Sequence, residues 1–167
     1  QCTDVNVNNV TKNIYPKYNK PKHFVKLGRK KIERLIKKIG IFRVKAKSIF
    51  YLSKTLVNKH KGKVPRSYKE LEELPGVGHK TASVVMSQGF GFPAFPVDTH
   101  IHRLAQRWGL TNGKNVEQTE KDLKKIFPKK IWNKLHLQII WYGREYCKAR
   151  DCYGITCIIC RSCYPNR

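Results

Sequence analysis

Leu74-Pro75-Gly76-Val77-Gly78-His79-Lys80-Thr81-Ala82 is the stretch that decides the fold of this chain. It lies between two segments with apolar residues at helical spacing, so Pro75 terminates one helix and the next runs from about His79 to Ser87. Gly76 and Gly78 accept positive φ without steric cost, and Val77 between them plugs inward. The turn then points free backbone amides outward, and the positive end of the following helix completes an anion grip suited to a phosphate. A plain tight link between helices explains the same residues, and on the local motif alone the two readings weigh equally.

Outward from the turn, the periodicity is helical almost throughout. Ile32, Leu35, Ile36 and Ile39 recur at helical spacing and stop at Gly40, while Val44, Ile49, Leu52, Leu56 and Val57 mark a second segment ending near Gly62. Ser67 with Glu70 three residues on is a capping-box signature for the short helix through Leu71 and Leu74. Beyond a Gly-Phe-Gly-Phe-Pro loop, Asp98 sits where an N-cap belongs, ahead of Ile101, Leu104 and Ala105 up to Gly109. Asn115 with Gln118 opens a helix ending before Pro128, and the last long helix runs from Ile131 to Tyr142 and closes at Gly143. No run alternates as a strand does. The expected class is all-α, with a cysteine-rich loop at its end.

Lys and Arg number 35 against 11 acidic residues, a formal net charge of +24 over 167 residues, so composition points first to a polyanionic partner. Lysines that merely replace other polar residues on solvated faces are the bland alternative. No stretch is apolar over the roughly 20 residues a membrane helix needs, and no membrane partner is expected. The chain opens at Gln1 without an initiator methionine, so a leader is not legible in it.

Two side chains near the turn carry chemistry. Lys80 falls in the first turn of its helix, where the macrodipole disfavours a cation, and a more easily neutral amine is what nucleophilic attack requires. Asp98 reads equally as an N-cap, and a capped carboxylate stays ionised and fixed in direction, able to stabilise a developing cation. Five of the six cysteines, Cys147, Cys152, Cys157, Cys160 and Cys163, crowd the C-terminus while Cys2 stands apart. A disulfide framework would spread through the core, so the crowding reads better as a metal site.

Leu74 to Ala82, Val97-Asp98-Thr99-His100-Ile101, Gly113-Lys114-Asn115-Val116-Glu117-Gln118 and the terminal cysteines together resemble endonuclease III, a family of helix-hairpin-helix DNA glycosylases with AP lyase activity. The resemblance runs from Gln1-Cys2-Thr3-Asp4 to Cys163. It implies a helical barrel plus a second helical lobe ending in a cluster loop, here placed at residues 1–97, with the helix-hairpin-helix at 69–88, and 98–167. It also implies a monomer acting on double-stranded DNA with a damaged base or abasic site, typically an oxidised pyrimidine. Lys80 matches the family's Schiff-base lysine and Asp98 its catalytic aspartate. The DNA-facing positions it implies are Gln1, Ile41, Gly76, Val77, Gly78, His79, Thr81, Thr99, His100, Lys148 and Arg150, with Gln1 and Ile41 filling the stack when a nucleotide is turned out. A DNA-binding module that only grips phosphate is the alternative from a different class.

The family's cluster spacing is C-x6-C-x2-C-x5-C, and this chain departs from it. Cys147, Cys157 and Cys163 fall in register with the first, third and fourth ligands, but the second position is Gly154. Cys152 is the expected substitute and Cys160 a spare, so the implied cofactor is a [4Fe-4S] cluster, with zinc as the competing metal because Cys157-x2-Cys160 has structural-zinc spacing. The family's leading helices, one beside the cluster lobe and one in the barrel, have no counterpart here, and a fragment, an alternative gene model or a truncated form is expected. Compartment would follow the host: the nucleoid in a bacterium, nucleus or organelle otherwise.

Overall fold

The computed structural model describes residues 2–163, all of whose regular elements are helical. Contacts group the chain into two compact units, Gln1–Gly78 and His79–Arg167. This division by contact falls at the glycine turn and differs from the barrel-and-lobe division at residue 97. No helix among the described residues is long and apolar enough to cross a membrane.

In the first unit, α1 (Asp4–Thr11), α2 (Pro21–Leu35), α3 (Phe42–His60) and α4 (Tyr68–Glu72) follow in order. Helix α1 was not legible in the apolar pattern; Thr3 starts it by accepting the Asn6 amide at 3.3 Å. Helix α2 packs on α3, and Ile32 of α2, Ile36 and Ile39 just beyond it, Ala46 of α3 and Ile14 form one nearly inaccessible cluster. Its apolar residues therefore face inward while its lysines remain in water, as the spacing requires. Helix α3 ends where Lys61 and Gly62 turn left-handed and the Gly62 amide reaches back to the Leu56 carbonyl at 2.8 Å. The capping box forms: Ser67 Oγ accepts the Glu70 amide at 3.3 Å and donates to the Glu70 carboxylate at 2.7 Å.

The glycine turn follows α4. Leu74 is buried, the Val77 amide donates to the Leu74 carbonyl at 3.0 Å, and Gly76 takes φ of +81°. A Cβ on Gly76 would stand 2.7 Å from Ser48 Cβ, so glycine is required twice, by conformation and by the closeness of α3. Gly76→Ala is expected to destabilise the protein by about 2–5 kcal/mol, the sum of left-handed strain and overpacking. Chemical denaturation measures this, and an unchanged midpoint would mean the turn is plastic.

The second unit contains α5 (His79–Val84), a π turn over Val85–Gly89, α6 (Thr99–Arg107), α7 (Val116–Ile126), α8 (Trp132–Glu145) and α9 (Ile158–Cys163). Its core joins Phe95, Val97, Ile101, Leu104, Leu123 and Ile139 with four cysteines. Two sequence expectations shift here. Gly143 does not close α8; it lies inside it, because Leu104 Cδ1 of α6 stands 2.6 Å from where its Cβ would be. The cysteine-rich end is not only loop, since its last residues form α9.

Candidate active site and metal site

Lys80 occupies the first turn of α5, directly after the turn, and its side chain is exposed. Asp98 is the N-cap of α6, where its Oδ1 accepts the His100 amide at 3.0 Å and the Ile101 amide at 2.9 Å. Both functions read for Asp98 are thus compatible: one oxygen fixes the carboxylate while Oδ2 has no hydrogen bond among the described residues. The segment leading to it is anchored from α8, since Asn133 Oδ1 accepts the Ala94 amide at 2.9 Å and Asn133 Nδ2 donates to the Phe92 carbonyl at 3.1 Å.

His136 lies on the buried face of α8. It is 1% exposed, its Nδ1 lies 3.1 Å from the Trp132 carbonyl, and its ring tilts against Phe95. A carbonyl only accepts, so Nδ1 carries the proton and the neutral ring keeps its lone pair on Nε2. Burial pushes its pKa down; the Trp132 carbonyl and the charge of Asp98 oppose that, and the charge of Lys80 reinforces it. No spacing in the sequence singles His136 out.

Because the folded protein holds His136 below its ordinary value of 6.5, the unfolded chain binds the extra proton first. This contribution to stability is complete above pH 6.5 and is lost as the pH falls below it. His136→Gln is expected to flatten the acid limb of the stability profile, measured by denaturation at a series of pH values; an unchanged limb would remove His136 as its cause.

The thiols of Cys147, Cys152, Cys157 and Cys160 are all buried and their sulfurs lie within 4.8 Å of one another. Arg107 Nη1 donates to Cys147 Sγ at 3.3 Å and to the Lys148 carbonyl at 2.9 Å, Nη2 donates to the Ala149 carbonyl at 3.0 Å, and Arg103 donates to the Cys147 carbonyl at 2.8 Å. Two arginines of α6 thus hold the loop that follows α8. Burial pushes the Cys147 and Cys160 thiols up. Burial opposes ionisation of Cys152 too, but hydrogen bonds with Thr156 and the Cys157 amide draw it down to about 5. A bound cation would deprotonate all four outright, which is how a metal compensates such a site. Cys163, expected as the fourth ligand, is exposed at the end of α9 and lies outside the group; Cys160 stands in its place. The Cys157-x2-Cys160 spacing was the signal for this. Four buried thiols this close together suit a metal centre in kind.

The model of the HhH-GPD superfamily base excision DNA repair protein matches residues 1–129. The chain belongs to that family. Endonuclease III of Bacillus subtilis is 42% identical over 164 residues, covering 98% of this chain and 75% of its own. Endonuclease III of Escherichia coli K12 is 42% identical over 159 residues, covering 95% of this chain and 75% of its own. The solved structure of a trapped endonuclease III–DNA covalent intermediate superposes with a TM-score of 0.90 at 42% identity, over 95% of this chain and 75% of that one. The all-helical fold is that of the HhH-GPD glycosylases.

The DNA-facing positions implied by the family are distributed as follows. Gly76, Gly78, His79 and Thr81 are exposed around the turn and Val77 is half-buried. His79 is turned toward Glu120, with Nε2 3.3 Å from Oε2, so this ring has a protein partner. Thr99 is exposed at the start of α6, while His100 Nδ1 is buried without a hydrogen-bond partner among the described residues. Lys148 and Arg150 are exposed in the loop after Cys147. Ile41 is 49% exposed at φ of +56°, a left-handed conformation that costs a β-branched residue about 1–3 kcal/mol. Gln1 lies outside the described residues.

Proposed function

We propose that this chain is a base excision DNA glycosylase with AP lyase activity that removes oxidised pyrimidines and nicks the strand through a Schiff base on Lys80. The observation that carries it is an exposed amine in the first turn of α5, directly after the glycine turn, with a carboxylate fixed as the N-cap of α6, at the positions that match the family's lysine and aspartate. The trapped endonuclease III–DNA complex, a covalent intermediate by its name, supports assigning the same chemistry to Lys80.

A base inside a duplex must leave the stack before its C1′ is reachable, and damage lowers that cost of a few kcal/mol. The exposed, strained Ile41 is suited to fill the gap, because an apolar wedge replaces the lost stacking. Amides of the glycine turn other than that of Val77, which donates to the Leu74 carbonyl, hold phosphate without reading sequence. The neutral Lys80 amine attacks C1′ and the base departs with the glycosidic electron pair, while the Asp98 carboxylate stabilises the positive charge that develops on the sugar. Loss of the amine's proton and opening of the sugar give the imine. The imine acidifies the neighbouring carbon, which loses a proton as the 3′ phosphate leaves by β-elimination. No step runs through the metal site. Thiolate sites of this kind are structural anchors here, tying the end of α8 to α9.

Incubation with duplexes carrying one abasic site or one thymine glycol tests this reading. Incision of both is expected, with the abasic duplex cut faster because no base need be expelled. Salt-sensitive binding without incision is the outcome that would favour a phosphate-gripping module instead.

A further inference from the structure

We propose that the Cys147, Cys152, Cys157 and Cys160 thiolates hold a single tetrahedral divalent ion of the zinc class, in the spacing C-x4-C-x4-C-x2-C, rather than a four-iron cluster. Sulfur separations set how many metals a thiolate group can enclose. Four sulfurs bound to one ion at about 2.3 Å lie about 3.8 Å from each other at tetrahedral angles. In a cubane each thiolate binds a different iron, and the sulfurs stand at the corners of a much larger tetrahedron, roughly 6 Å on an edge. Here every pair is within 4.8 Å, and Cys147 Sγ and Cys160 Sγ are 3.6 Å apart. Those separations match one tetrahedral ion and fall short of the cubane's edge.

The local backbone agrees. The Cys160 amide points at Cys157 Sγ at 3.4 Å and the Cys157 amide at Cys152 Sγ at 3.3 Å, so the chain wraps its N–H groups around the sulfurs across short loops. Four thiolates about a divalent ion leave a net charge of −2, and the Arg107 guanidinium on Cys147 Sγ offsets part of it. Gly154, at φ of +83°, fills the position where a wider ligand ring would place its second thiol, and Cys163 is turned to solvent. With Cys160 in place of Cys163 the ligand run ends three residues earlier, at 160. Ligand type and tetrahedral geometry select zinc among the common divalent ions.

The test is the composition of the protein purified anaerobically from cells supplied with both zinc and iron. One zinc per chain, no acid-labile sulfide and no visible absorbance are expected, and exchange for cobalt(II) should give the d–d bands of a tetrahedral thiolate site. Four irons with four sulfides per chain would overturn the proposal. Cys163→Ser is expected to retain one zinc per chain, and Cys160→Ser to lose it to a chelator at least tenfold faster. Retention by the second with loss by the first would overturn the ligand set. Should Cys160→Ser fail to fold, the sulfide content of the unaltered protein still decides between one ion and a cluster.

Discussion

Lys80→Gln is expected to bind a duplex with an abasic site yet never to be captured on it by borohydride, and its nicking rate falls by on the order of 10³-fold or more, to the background of spontaneous elimination. The reasoning is covalent. Borohydride reduces only an imine, an imine requires a primary amine, and a glutamine amide supplies none. Lys80 is exposed in the first turn of α5, so its replacement disturbs no packing and the change in stability stays within about 0.5 kcal/mol. Removing one cation from a chain of net charge +24 weakens duplex affinity only slightly. Loss of trapping with retained binding therefore isolates the nucleophile, whereas persistent trapping would place the amine elsewhere.

Asp98→Asn is expected to slow release of a damaged base by about 10²–10³-fold, the usual cost of deleting one group that stabilises developing charge. Asparagine caps a helix about as well as aspartate, so the bonds to the His100 and Ile101 amides survive and stability is nearly unchanged. Capture on an abasic duplex, where no base has to leave, is affected much less. Asp98→Ala also removes the cap, adding about 1 kcal/mol of destabilisation to the same kinetic defect. Comparing the two variants on damaged and abasic duplexes separates the carboxylate's charge from its capping. Equal base release by Asp98→Asn and the unaltered protein would leave Asp98 a cap alone.

Most of the helical framework was legible because its signals are local. Ser67 with Glu70, Asp98 before Ile101 and Asn115 before Gln118 are start signals whose hydrogen bonds close within three residues, and each forms. Glycine at position 76 was readable for the same reason, since positive φ is a property of one residue. Helix α1 escaped the apolar pattern because it buries no residue fully and starts from a threonine cap.

What the sequence determined by itself, then, is the helical class, the turn with its following amine, the capped carboxylate and the presence of a thiol-rich end, all written in residue type and short spacing. The tertiary structure alone decided which groups meet. His136 carries no local signal: it is buried against Phe95 in a core that forms because α8 packs on α6, where Gly143 lets Leu104 approach. The choice of Cys160 over Cys163 is likewise geometric. From Cys157, three residues return a helix nearly to the same face, whereas six carry the thiol further round and roughly 9 Å along the axis, out of reach of the other sulfurs and into water.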